Sequence, residues 1–189
     1  MSWDFKLDRV HNYAWQLNVF TEDECKKIIE IKESIKKSKP TTFSEHTVDY
    51  RLKTDIYWIQ PNDTTAWIFK RLTDSILYLN DNFFKFNLFG FNSDLQLTHY
   101  HSKGAKYKKH IDRGLNTCVR KLTASIQLSE STSYKDCDLI LYLDEKPTHV
   151  VRDIGSLTVY PSWVLHEVSE LKKGERYSLV CWATGEQFI

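Results

Sequence analysis

The first 89 residues contain no glycine; all six glycines lie at positions 90, 104, 114, 155, 174 and 185. Glycine serves tight turns and close backbone approach, so its absence argues against a turn-dense first half, and its presence predicts one in the second. Net charge is almost absent too: 26 Lys+Arg against 25 Asp+Glu in 189 residues leave +1. That removes the generic electrostatic case for a nucleic-acid partner, which needs a clearly basic domain or face. None of the four cysteines, Cys25, Cys118, Cys137 and Cys181, sits in a CxxC pair. A protein of this length needs no disulfide framework, so reduced and mostly buried thiols are expected, with a Cys118–Cys137 bridge left open. No apolar run approaches the ~18 residues that span a membrane. The opening MSWDFKLDRV has no apolar signal-peptide core. The expectation is a cytoplasmic protein with no membrane partner.

What is present is an ordinary globular composition, 41% hydrophobic and 27% charged, long enough for one domain over 1–189. Thr21-Glu22-Asp23-Glu24 is a capping box, and Cys25, Ile28, Ile29, Ile31 and Ile35 follow at helical spacing towards Lys39-Pro40. The lysines of this stretch are interleaved with Glu22, Glu24, Glu30 and Glu33 and read as its solvated face. The β-branched and aromatic run 46–59 predicts one long or two short strands. A second helix is expected at about 63–80, with Trp67, Ile68, Leu72, Ile76 and Leu79 as its core stripe.

After residue 90 the period becomes two. Strands are expected over 95–100 and near 106–112, 119–128, 138–143, 148–153, 156–160 and 176–183. Turns are expected at Ser102-Lys103-Gly104, Arg113-Gly114, Asp144 to Pro147 and Lys172-Lys173-Gly174. The sequence thus divides into a helix-and-strand support region, 1–90, and a strand core, 91–189. Many short strands without intervening helices fit a sandwich, a jelly roll or a small barrel.

Three constellations could carry chemistry. On a strand, His110 and Asp112 would share a face. His166 is a lone histidine among apolar neighbours, 56 positions later. Arg176 and Ser178 would share a strand face just beyond Gly174, offering a guanidinium and a hydroxyl to a carboxylate. Singly, each has an ordinary reading: a surface histidine beside an aspartate, a core histidine, an arginine in a surface ion pair. Together, two histidines and one carboxylate form the facial triad of non-heme Fe(II) oxygenases.

At these residues the sequence resembles a known family. Tyr100…His110-x-Asp112, Arg120-Lys121-Leu122-Thr123-Ala124-Ser125, Gly155-Ser156-Leu157-Thr158-Val159-Tyr160-Pro161-Ser162, His166-x-Val168 and Gly174-x-Arg176-x-Ser178-Leu179…Trp182 occur in the order of the Fe(II)/2-oxoglutarate-dependent dioxygenases. The resemblance spans 95–185 and is nearest to the prolyl-4-hydroxylase-like, PKHD-type branch. It implies a mainly β fold, a double-stranded β-helix (jelly roll) buttressed by N-terminal helices. It implies Fe(II) on His110, Asp112 and His166, and 2-oxoglutarate with its far carboxylate on Arg176 and Ser178. Tyr100 would be a hydroxyl donor to that co-substrate, and Gln127 stands where some relatives place an aromatic that helps hold it. Other departures are Cys137-Asp138-Leu139 at a Gly-Gly-Glu-Leu turn, and Arg176 where collagen-type enzymes use lysine.

The implied reaction uses O2, with ascorbate as reductant, to hydroxylate a substrate C–H and release succinate and CO2. The implied partner is a peptide or protein with an extended segment, most simply at a proline. Another amino-acid side chain or a small molecule remains open, as does a non-catalytic jelly roll that binds peptide or sugar. Arg113, Arg120, Trp58, Trp163 and Trp182 are rim candidates. A nucleic-acid dealkylase of the same superfamily would carry a second arginine where Trp182 stands. His99 and His101 should point away from the cavity if Tyr100 faces it, and His11, His46 and His149 are expected to be surface or structural.

Overall fold

The computed structural model describes residues 11–38, 51–91, 93–114, 117 and 119–186. The two helices are α1 (Glu22–Glu30) and α2 (Ala66–Leu79). The strands in sequence order are β1 (Ala14–Gln16), β2 (Arg51–Leu52), β3 (Thr54–Ile59), β4 (Leu88–Phe91), β5 (Leu95–Tyr100), β6 (Lys106–His110), β7 (Arg120–Gln127), β8 (Tyr134–Asp136), β9 (Leu139–Tyr142), β10 (Thr148–His149), β11 (Leu157–Pro161), β12 (Leu165–Val168), β13 (Leu171–Gly174) and β14 (Arg176–Gly185). A major sheet runs β1-β11-β7-β14-β5-β3, with β4 also paired to β14. A minor sheet runs β10-β9-β12-β6-β2, and β13 pairs with β8 in a separate ribbon. The strand pairs are antiparallel throughout. Two facing sheets with this crossing order make a jelly roll, the mainly β fold with helical buttress expected above.

The period-two pattern explains the layering. Along β14, β5 and β7, Leu179, Cys181, Leu95, Leu97, Leu122, Ala124 and Ile126 project to one side and join Ile28, Ile68, Leu72 and Ile76 of the helices in one core. Full burial of a leucine or isoleucine here is worth about 1.5–3 kcal/mol. The alternate residues, Gln96, Thr98, Tyr100, Ser125, Arg176, Ser178, Val180 and Trp182, line a cavity between the sheets. The major sheet is therefore apolar towards the helices and largely polar towards the minor sheet.

The capping box is formed: Glu24 N donates to Thr21 Oγ1 at 3.2 Å and Thr21 N to the Glu24 carboxylate at 2.8 Å. Helix α1 is shorter than the sequence predicts. A 3-10 turn, Ile31–Ser34, follows it, Ile35 is extended, and Ser38 pairs with Ile56 of β3. Tertiary pairing to the sheet edge thus overrides helical spacing. Helix α2 starts later than expected because Asn62 Oδ1 accepts from Thr64 N and Thr65 N, making an Asx turn before it. The turn expected at Lys172-Lys173-Gly174 is instead part of β13, whose partner β8, like β1, β4 and β12, has no clear alternation in the sequence. The stretch 46–50, the Lys39-Pro40 helix end and Cys118 lie outside the described residues. Cys25, Cys137 and Cys181 are free and buried, as expected.

Gly155 shows why glycine belongs in the second half. Its φ is +74°, and a Cβ there would lie 1.8 Å from the Phe20 carbonyl oxygen. That close approach lets Gly155 O accept from Val19 N and Phe20 N, while Gly155 N donates to Gln127 O. Gly155→Ala is expected to lower stability by about 3 kcal/mol, read as a fall in the urea midpoint.

Candidate active site

Strands β6 and β12 are neighbours in the minor sheet, and His110 is in register with His166. Their ring centroids lie 4.2 Å apart, with the planes tilted by 54°. His110 Nδ1 lies 2.8 Å from Lys108 O and His166 Nδ1 2.9 Å from Val164 O. A carbonyl only accepts, so each Nδ1 carries a proton and each Nε2 is the ring atom turned to Asp112. The two Nε2 atoms lie 3.5 Å from opposite oxygens of Asp112. The three ligand atoms all lie within 4.8 Å of one another, the one such trio of His, Cys, Asp or Glu among the described residues.

Asp112 does not reach this point as the i+2 residue of a strand. β6 ends at His110, and the Asp112 and Arg113 amides both donate to Ser162 O at 2.9 Å. The carboxylate is hung on the turn between β11 and β12. Thr123 then donates to Asp112 Oδ2 at 2.7 Å, and its hydroxyl lies 3.1 Å from Ser162 Oγ. Burial opposes charge on Asp112. The His110 hydrogen bond, the two imidazoles and the Thr123 hydroxyl outweigh it and hold the carboxyl well below the usual carboxylate range. Burial pushes His166 down from its ordinary value, against the pull of Asp112. An ionised carboxylate and a neutral imidazole are the forms that bind metal. Sequence reasoning misses Thr123 and Ser162, because nothing in their spacing announces a contact with Asp112.

Arg176 opens β14 beside Tyr100 of β5 and is only 4% exposed. Its Nε donates to Gln127 Oε1 at 3.0 Å, and its Nη1 is buried with no hydrogen-bond partner. An unsatisfied buried donor is costly, about 1–3 kcal/mol and more when charged. Arg176 lines a cavity, so its orphaned donor calls for an acceptor. Arg176, Tyr100 and Ser178 line the same cavity as His110, Asp112 and His166; Gln127 is not part of that lining. The Arg176 guanidinium lies 5.5 Å from the Tyr100 ring centroid. The donor set fits Fe(II), and the orphaned guanidinium nitrogen fits a dicarboxylate such as 2-oxoglutarate.

At the other end of the same strand face, Trp182 Nε1 is also buried without a partner. The Arg120 guanidinium lies 4.0 Å over the Trp182 ring and donates to Asp112 O at 3.3 Å. Trp58 stands 6.4 Å from Trp182. Trp163 is exposed and meets Phe86 edge-on. His99 and His101 point away, as expected. His99 bonds Glu175 at 2.9 Å and stacks on Tyr177, and His101 reaches Asp55 at 3.4 Å. His11 packs edge-on against Phe83, His149 is exposed near Asp138, and His46 lies outside the described residues.

In this jelly roll two histidines and an aspartate converge on one point, the arrangement with which facial-triad non-heme Fe(II) oxygenases hold their metal. Residues 95–184, a little under half of the chain, match the family model of the 2OG-Fe(II) oxygenase superfamily. A PKHD-type hydroxylase from Prochlorococcus marinus (strain MIT 9215) is 35% identical over 81 residues, 42% of this chain and 37% of that protein. The aligned segment is thus well under half of that relative's length. Among solved structures, a Pseudomonas putida prolyl-4-hydroxylase superposes with a TM-score of 0.72 at 21% identity, covering 93% of this chain and 94% of that one. A Trichoplax adhaerens prolyl hydroxylase in complex with a hypoxia inducible factor peptide fragment gives 0.76 at 18% identity, over 92% and 83%. At such identities the superpositions speak for the fold. No helix among the described residues is long and apolar enough to cross a membrane.

Proposed function

We propose that the protein is an Fe(II)- and 2-oxoglutarate-dependent dioxygenase that hydroxylates an aliphatic C–H bond in an extended peptide, first of all on a prolyl residue. The observation that carries the reading is the pairing, in one buried cavity, of a complete His-Asp-His trio with an arginine whose Nη1 has no partner. His110, Asp112 and His166 would hold the metal by one face and leave its other positions open. Arg176 would receive the far carboxylate of 2-oxoglutarate, with Ser178 beside it on the strand and Tyr100 as a hydroxyl donor. Bound Fe(II) with this co-substrate and O2 supplies the oxidising power for C–H hydroxylation, with release of succinate and CO2.

The protein's own part is positioning. The backbone carbonyls of Lys108 and Val164 fix the imidazole tautomers. Thr123 orients the carboxylate, and the apolar residues Leu139, Val168 and Val180 keep the cavity wall dry. On the cavity wall, Trp182 Nε1 is a buried donor without a partner, with Arg120 stacked on its ring. The Trichoplax neighbour, named for its complex with a peptide fragment, supports a peptide in this position.

The test has two stages. Anaerobic Fe(II) and 2-oxoglutarate should together produce a weak visible charge-transfer band. In air with ascorbate, succinate should form, and mass spectrometry of proline-containing peptides should reveal a one-oxygen gain that requires 2-oxoglutarate. No band and no succinate would leave a binding module. Succinate with no peptide product would move the substrate to another residue type or a small molecule.

A further inference from the structure

Arg176 is only as good a carboxylate receptor as its orientation allows, and its orientation is set from behind the cavity. A guanidinium has donors and no acceptor, so the Gln127 atom 3.0 Å from Arg176 Nε must be the amide oxygen. The Gln127 nitrogen then faces away, and both its hydrogens are used: Nε2 lies 2.8 Å from Ser129 O and 2.9 Å from Tyr134 OH. Gln127 has no donor left for an anion. Tyr134 is itself buried and tied down. Arg152 Nε lies 3.3 Å from its hydroxyl, the Arg152 guanidinium sits 4.6 Å over its ring, and Arg152 Nη2 donates to Ser131 O at 3.1 Å. The backbone of Tyr134 is in register with Gly174, two residues before Arg176. The relay therefore begins and ends on the same strand connection.

We infer that Gln127 and Tyr134 are positioning residues for Arg176. They hold its Nε and so fix the guanidinium on the cavity wall before any ligand arrives. The inference rests on the 2-oxoglutarate reading of the site. It also explains why an amide suits position 127. A neutral acceptor fixes the guanidinium without neutralising it, whereas a carboxylate there would form an ion pair and compete with the incoming anion. Fixing the receptor in advance lowers the ordering entropy lost on binding.

The experiment is anaerobic titration of the Fe(II)-loaded protein with 2-oxoglutarate, followed by the charge-transfer band, for Gln127→Leu, Gln127→Glu, Tyr134→Phe and the Gln127→Leu/Tyr134→Phe double variant. Gln127→Leu and Tyr134→Phe should each raise the dissociation constant, by about tenfold for the former. The double variant should weaken binding at least as much as Gln127→Leu, since Tyr134 both holds Gln127 and acts on the Arg176 guanidinium directly. Gln127→Glu keeps the shape and the acceptor, yet should weaken binding more than Gln127→Leu. Fe(II) affinity should be unchanged in all four. Unchanged 2-oxoglutarate affinity in both Gln127→Leu and Tyr134→Phe, with binding lost in Arg176→Ala, would overturn the relay and leave the site reading intact. Unchanged affinity in Arg176→Ala would overturn the site reading itself. If Gln127→Leu does not fold, Tyr134→Phe, which removes one hydroxyl, and Gln127→Glu still decide the matter.

Discussion

Arg176→Ala is expected to raise the 2-oxoglutarate dissociation constant about a hundredfold or more, with Fe(II) binding retained, because each charge-assisted hydrogen bond lost is worth about 1.5–3 kcal/mol. The guanidinium is buried, already oriented by Gln127, and carries an Nη1 with nothing to bond. Screening is weak at such a site, so a carboxylate placed there gains more than it would at the surface. Alanine removes the charge, the fork and the orphan together and leaves Gln127 Oε1 without its donor. Arg176→Lys should fall in between: a point charge survives, but the bidentate geometry and the bond to Gln127 do not. Anaerobic titration of the charge-transfer band measures the affinity, and thermal melting without ligand shows whether the fold is weakened by the change. An affinity equal to that of the parent protein would mean that the co-substrate lies elsewhere.

Asp112→Ala should lower Fe(II) affinity by more than about a hundredfold, beyond the 10–100-fold typical of losing a residue that merely supports a ligand. The two imidazoles are neutral donors, and Asp112 supplies the trio's one negative charge. It is also where several supports meet. Ser162 O takes its amide, Thr123 binds its carboxylate, and Thr117 and Arg120 bond its carbonyl. Alanine keeps the backbone part of this arrangement, so the variant should fold and fail to hold metal. Equilibrium binding of Fe(II) under anaerobic conditions, alongside circular dichroism, separates these outcomes. Tight binding by the variant would remove Asp112 from the metal site.

The sheets and the His-Asp-His trio are legible for the same reason: both write themselves into the sequence at short range. Alternation from Leu95 onward marks which residues turn inward, and it places Tyr100, Arg176 and Ser178 on the inner face correctly. The HxD pair and the later histidine carry their chemistry in their residue types. What stays hidden depends on contacts between distant segments. The ribbon of β8 and β13 contains Lys172 and Lys173 with no apolar rhythm, because its pairing to Tyr134–Asp136 holds it rather than a buried face. Asp112 reads as a strand residue but is presented by Ser162, a hydrogen bond across 50 positions. Gln127 reads as a ligand contact. Its partners, Ser129, Tyr134 and Arg176, instead use up its acceptor and both of its donors.

The two-faced construction of β14 has a consequence for how this protein can change. Odd positions from Tyr177 to Ala183 face the helices, and even positions from Arg176 to Trp182 face the cavity. One strand therefore separates two kinds of heritable variation. Substitutions at 179 and 181 act on whether the molecule survives, and those at 180 and 182 on what it accepts. Because neighbouring residues serve different masters, the acceptance of new ligands can drift along the even positions while the scaffold stays intact.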